Sequence, residues 1–171
     1  MAVIGTKEQP IRRACLVCDP FLVKNGAAGR VTGLLDAMGA QWEIFDQVIP
    51  NPTVELVSQG VAHILDYQPD TVIALGGGSA MDCAKAAAAA AAMDCTGLEL
   101  LRGRPVTDAL PLIAVPTTAG TGSEVGWGAV LSDHAANAKI AIFGSPMFPR
   151  LALVDPVLTY TVPPAVTAST G

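Results

Sequence analysis

The sequence predicts an α/β domain built on a parallel sheet flanked by helices, and three observations carry that prediction. Short apolar runs alternate with helical patterns three times before residue 94, the arrangement that builds parallel sheets. The most buried-looking run, Thr71 to Leu75, passes straight into Gly76-Gly77-Gly78 and then into an alanine-rich helical stretch reaching Met93. Asp19, Asn51 and Gly76 to Ser79 all fall at the carboxyl ends of predicted strands, where open α/β sheets bind their ligands.

Taken in order, Cys15 to Asp19 reads as the first strand, followed by Pro20. A helix is expected from Ala27 to Met38, closed by Gly39, and a strand from Trp42 to Val48. Pro50-Asn51-Pro52 punctuates the chain, and Thr53 is placed to cap a helix whose face carries Val54, Val57, Val61, Ile64 and Leu65. Pro69 and Asp70 lead into the central strand, Thr71 to Leu75, a β-branched apolar run of the kind buried on both faces. After the alanine helix, Asp94 to Asp108 reads as a polar connection and Leu112 to Val115 as a strand. Val130 to Asp133, Lys139 to Phe143 and Leu151 to Asp155 are further strands with no assigned partners. The α/β core is expected over about 13–160, and Val162 to Gly171 is expected to lack a helix.

The composition excludes several classes. Of 171 residues, 51% are hydrophobic and 15% charged, which argues against a disordered chain. The net charge of −5 argues against binding a nucleic-acid backbone. No apolar run reaches the roughly 18 residues of a membrane span, and MAVIGTKEQPIRR has no signal-peptide core. A cytoplasmic location follows as the default. Cys15 and Cys18 share the C-x-x-C spacing, but on a strand they stand roughly 10 Å apart and face opposite ways. They are therefore core residues rather than a zinc or disulfide pair, and Cys83 and Cys95 look equally structural. His63 and His134 show no ligand spacing and read as ordinary exposed or capping residues.

The glycine turn is the main chemical signal. Ser79 can cap the following helix, with Asp82 completing a capping box. Free backbone N–H groups and the positive end of the helix dipole would face an anion over the turn. Glycines there admit a phosphate close to the main chain. The turn thus reads as a pyrophosphate cradle, with a tight structural turn as the alternative. The Walker spacing is absent, and Met81 stands where the G-x-G-x-x-G fingerprint needs its third glycine. Pro116 to Glu124 (PTTAGTGSE) offers hydroxyl and amide donors at a strand end, although such a loop can also be only a polar turn.

Three blocks in this order resemble the iron-containing (group III) alcohol dehydrogenases: GGGSAMD at 76–82, PTTAGTGSE at 116–124, and LVDP at 153–156 with Pro163-Pro164 and ASTG at 168–171. Asn51-Pro52-Thr53 is similar to the family's NPT turn, and GGGSAMD with CDPFLV looks most similar to propanol and ethanol dehydrogenases of diol and ethanolamine degradation. The resemblance runs from Arg12 onward. It implies the Rossmann-like N-terminal, nicotinamide-dinucleotide-binding domain of that family and of the dehydroquinate synthase-like fold. Gly77, Gly78, Ser79 and Asp82 would hold the pyrophosphate and its neighbouring ribose. Thr117, Thr118, Thr121 and Ser123 would line the path to the nicotinamide, with Lys139 near its ribose. Asn51 belongs to the same set through the NPT turn. Asp19 would contact the adenosine ribose, and a carboxylate there accepts from a 2′-hydroxyl but repels a 2′-phosphate, so NAD(H) is expected over NADP(H).

The departure is equally informative. The family holds a divalent iron or zinc on a helical C-terminal domain, through an Asp and three His. This sequence contains no such pattern, so no metal ligand and no catalytic residue is assigned within it. Residues 161–171 read as the start of a linker to that domain, and the chain alone is expected to bind cofactor with little or no activity. The complete enzyme would interconvert a primary alcohol and an aldehyde. The resemblance leaves open a homo-oligomer, a separately encoded metal domain, and a setting in a bacterial microcompartment. The rival readings are a stand-alone nucleotide-binding or regulatory protein and a glycerol dehydrogenase-like enzyme, the latter disfavoured by PTTAGTGSE.

Overall fold

The computed structural model describes residues 10–170. Its elements in chain order are β1 (Arg13–Val17), α1 (Pro20–Lys24), α2 (Ala27–Ala37), β2 (Gln41–Phe45), α3 (Val54–Tyr67), β3 (Thr71–Gly76) and α4 (Gly78–Ala92). They continue with α5 (Gly97–Leu101), β4 (Leu112–Pro116), β5 (Gly128–Asp133), β6 (Ala138–Phe143), β7 (Leu151–Ala152) and α6 (Pro164–Thr170). Five strands form one sheet in the order β2-β1-β3-β4-β7, and every pairing in it is parallel. β5 and β6 form a separate antiparallel hairpin.

Alternation along the strands divides the interior into two cores. Val72 and Ala74 of β3 face α3 and α4, together with Cys15, Val17, Met81 and Val57. Ile73 and Leu75 face the other way, toward Leu22, Ala28, Val31 and Leu35 of α1 and α2. Cys15 lies in the first core and Cys18 in the second, and all four cysteines are free and buried. Thr53 caps α3 as expected, its side chain accepting from Leu56 N–H at 3.2 Å.

The alanine tract lies in the core. Ala86 to Ala90 are all fully buried, because α4 is the helix against which the sheet, α3 and the hairpin all pack. Small side chains let the backbones approach: a Cβ on Gly60 of α3 would stand 3.3 Å from Ala87 Cβ. Larger residues would push α3 and the hairpin away from the sheet.

Several expectations need correction. The cap of α4 is Gly77, with no side-chain hydrogen bond, so Ser79 lies inside the first turn and forms no capping box. The Asp82 carboxylate is drawn instead to a neighbouring loop by tertiary contacts. Pro20 opens a short helix, α1, capped by Asp19. The connection 94–108 holds α5, whose capping box is Thr96 with Glu99. Residues 164–170 form α6, where no helix was expected. The last sheet strand stops at Ala152, since β7 pairs β4 only through Ile113 and Ala114. His63 is half-buried, packed against the Phe45 ring and 3.5 Å from Glu43; His134 lies in the exposed β5–β6 turn.

Candidate functional site

The carboxyl ends of β1 to β4 open into one cleft of about 1180 Å³, somewhat above the roughly 300–1,000 Å³ of small-molecule sites. All eleven residues proposed from the sequence line it: Asp19, Asn51, Gly77, Gly78, Ser79, Asp82, Thr117, Thr118, Thr121, Ser123 and Lys139. They arrive from four strand ends, the first turn of α4 and the hairpin. The parallel register explains the convergence, because Gly76 pairs Pro116 and Val17 pairs both Phe45 and Ala74.

At the centre, β3 ends on Gly76 at φ +147, a conformation that L side chains rarely adopt. A Cβ there would also stand 2.7 Å from Ala80 Cβ. The turn delivers α4 with Gly77 as its cap, and the first helical bonds run from Ala80 and Met81 N–H to Gly77 O. The Gly78 and Ser79 amides precede those bonds, at the positive end of a 15-residue helix. A Cβ on Gly77 would reach 3.1 Å from Thr118 Oγ1, and one on Gly78 3.2 Å from Thr121 Cγ2. Thr118 Oγ1 is itself buried and without a hydrogen-bond partner. The glycines thus let Thr118 and Thr121 pack directly against the turn, and a phosphate over the Gly78 and Ser79 amides would have the idle Thr118 hydroxyl as a neighbouring donor.

The flanks of the cleft differ in character. Asp19 Oδ1 accepts from Phe21 N–H at 2.8 Å and Leu22 N–H at 3.1 Å. Its Oδ2 points toward Gly76, 4.0 Å from where a Cβ would stand. Asn51, at φ +55, donates its N–H to Ser79 Oγ at 3.3 Å and accepts from Lys139 Nζ at 2.7 Å. This ties the Asn-Pro-Thr turn to both α4 and the hairpin, and Ser132 N–H donates to Pro52 O beside it. The wall also carries apolar groups the sequence reading passed over, among them Phe21, Ile49, Trp127, Phe143, Leu158 and Val166.

The main omission is Lys85. It is only 1% exposed, yet its ammonium donates to Ser123 O at 2.5 Å, Gly126 O at 2.8 Å, Ser123 Oγ at 3.0 Å and Gly128 O at 3.1 Å. Burial pushes its pKa down, opposed by the nearby charges of Asp82 and Glu124. Asp82, one turn earlier, accepts from Ser123 Oγ at 2.7 Å through Oδ1 and from Val130 N–H at 3.0 Å through Oδ2. A single lysine at the head of the alanine tract, three residues after an aspartate, was the available signal.

The site offers no activated thiol: burial pushes Cys15, Cys18 and Cys83 up to about 12. Among the described residues, no three His, Cys, Asp or Glu side chains gather as a metal site, and no helix is long and apolar enough to cross a membrane.

The family model described as iron-containing alcohol dehydrogenase matches residues 3–156. The chain is 38% identical to the 1-propanol dehydrogenase PduQ of Citrobacter freundii over 91% of its own length and 39% of that protein. It is 34% identical to Escherichia coli lactaldehyde reductase, over 96% of this chain and 44% of that one. Among solved structures, sulfoacetaldehyde reductase from Bifidobacterium kashiwanohense, in complex with NAD+, superposes with a TM-score of 0.86 at 40% identity. That match covers 94% of this chain and 43% of the reductase. The chain thus spans about two-fifths of the relatives it matches. Family profile, relatives and fold agree: this chain belongs to the iron-containing alcohol dehydrogenases.

Proposed function

We propose that this chain is the cofactor-binding part of an oxidoreductase that interconverts a primary alcohol and an aldehyde with NAD(H). The observation that carries this reading is the glycine turn that opens α4 into the cleft, packed by Thr118 and Thr121, with its idle Thr118 hydroxyl. A nicotinamide dinucleotide would supply the hydride donor or acceptor. Gly78 and Ser79 amides would hold its pyrophosphate, with the helix dipole adding to the attraction. Asp19 would accept from the adenosine ribose through Oδ2, since Oδ1 is committed to the α1 amides. Lys139 and Asn51, already hydrogen-bonded, would meet the cofactor on the hairpin side. The Phe143 and Trp127 side chains would exclude water from that end of the cleft.

The roles of Asp82 and Ser123 differ from the rest. Their polar atoms are engaged with each other, with Val130 and with Lys85, so they would shape the site more than touch the ligand. The divalent iron or zinc of the complete enzyme would be held by residues outside those described. We further propose a cytoplasmic setting, with a bacterial microcompartment as the specific one suggested by kinship to the propanol dehydrogenases.

The test is calorimetric titration of the full chain with NADH and with NADPH. NADH is expected to bind saturably and NADPH more weakly, because a 2′-phosphate would approach the Asp19 carboxylate. Asp19→Asn keeps an oxygen to cap α1 but removes the charge, and should narrow the preference by about tenfold, roughly 1.4 kcal/mol. A folded chain that binds neither nucleotide would overturn the reading.

A further inference from the structure

Segment 118–126 forms one wall of the cleft, yet among the described residues it makes no backbone–backbone hydrogen bond to another element. Its internal bonds are Val125 N–H to Gly122 O and Gly126 N–H to Ser123 O. What joins it to the fold is side-chain chemistry from α4: the Lys85 ammonium on two of its carbonyls and the Ser123 hydroxyl, and the Asp82 carboxylate on that same hydroxyl. The fourth Lys85 acceptor, Gly128 O, begins β5, so one ammonium ties the loop and the hairpin to the same helical turn.

The chemistry is that of an enclosed cation. Every partner of the ammonium is neutral, three carbonyls and one hydroxyl, at 2.5–3.1 Å. Burying an ammonium this deeply opposes folding unless its donors are satisfied. The loop carbonyls satisfy them and are in turn drawn together from residues 123, 126 and 128. The loop itself is open to solvent at Ala119, Gly120 and Thr121, so its carbonyls would find water if Lys85 were absent. The lysine gains its partners only with the loop seated, whereas the loop has an alternative.

We propose that Lys85 is the positioning residue of the cofactor site: its buried ammonium acts as a resident cation that seats the threonine loop over the glycine turn before ligand arrives. Lys85 does not itself line the cleft. It sets where Thr118 and Thr121 stand relative to Gly77 and Gly78, the spacing that the threonine contacts define. This inference rests on the proposed function for the identity of the ligand, but the seating of the loop is independent of it.

The experiment compares wild type, Lys85→Met and Ser123→Ala as full chains by amide hydrogen exchange without ligand and by NADH titration. In Lys85→Met, exchange across 118–126 should rise on the order of tenfold or more while β1, β3 and β4 amides stay protected. The urea midpoint should hold or rise, since a buried charge has gone. NADH affinity should fall in proportion to the time the loop spends unseated, on the order of tenfold. Ser123→Ala, which removes one of four acceptors at a half-exposed position, should give a smaller rise in the same segment. Unchanged loop exchange in either variant would overturn the proposal, as would a uniform loss of protection throughout the chain. Should the wild type bind no NADH, the proposed function falls, and loop exchange still decides the role of Lys85.

Discussion

The sharpest perturbation of the site is a single methyl group at Gly78. Its backbone stands at the first position of α4, where alanine is a better helix former than glycine. The added Cβ would lie 3.2 Å from Thr121 Cγ2 and 3.5 Å from its Oγ1. That is tighter than ordinary contact, but Thr121 is exposed and can yield by a few tenths of an ångström. Folding should therefore tolerate Gly78→Ala, with stability unchanged or raised by up to about 1 kcal/mol through reduced freedom of the unfolded chain. Binding should not tolerate it, because the methyl and the displaced Thr121 would crowd the Gly78 and Ser79 amides over which the pyrophosphate would sit. A hydrogen bond to a charged group contributes about 1.5–3 kcal/mol. Displacing the phosphate from one amide thus predicts NADH binding weaker by about 10- to 150-fold. Fluorescence titration with NADH and thermal unfolding on the same sample read both quantities. A Gly78→Ala chain that binds NADH like the wild type refutes the cradle, whatever its stability. Gly76→Ala is the contrasting control: at φ +147, with Ala80 Cβ 2.7 Å away, it should lose roughly 1–3 kcal/mol of stability.

Two further outcomes follow from the core and from a helix end. Burial holds the Cys15, Cys18 and Cys83 thiols up to about 12 against an ordinary 9.0, so native thiols should resist labelling at pH 8 and react once urea unfolds the chain. An acid whose folded pKa is raised favours folding below its unfolded value. The urea midpoint should therefore fall as pH rises from 9 toward 12, and a midpoint that rises over that range would contradict the burial. Thr96→Ala removes the capping box of α5, in which Thr96 and Glu99 satisfy each other's backbone amides. A loss of about 1 kcal/mol in urea unfolding is expected, and an unchanged midpoint would show that tertiary packing alone holds α5.

The legible parts of the chain were those where local pattern and tertiary role coincide. Thr71 to Leu75 reads as a two-sided buried strand because parallel sheets bury both faces, and every residue of β3 is buried. Thr53 caps α3 because the threonine, the helix start and the apolar face are consecutive. Short elements escaped: α1, α5 and α6 are five to seven residues long, too short for a helical period to emerge. Ser79 misled for a different reason. Its S-x-x-D spacing satisfies the capping pattern locally, but the chain enters the helix through Gly76 at φ +147, which moves the cap two residues back to Gly77.

The sequence by itself determined the alternation of strands and helices, the glycine turn at the end of the central strand, and the set of polar residues at the strand ends. These are one-dimensional facts, because strand polarity and residue spacing are written along the chain. Tertiary structure alone decided what those residues do to one another. Asp82 leaves its helix to receive Ser123 and Val130, 41 and 48 residues away. Lys85 spends its charge on carbonyls 38 to 43 residues distant. Backbone carbonyls carry no sequence signature, so a cation held by them stays invisible until the fold brings the loop to the helix.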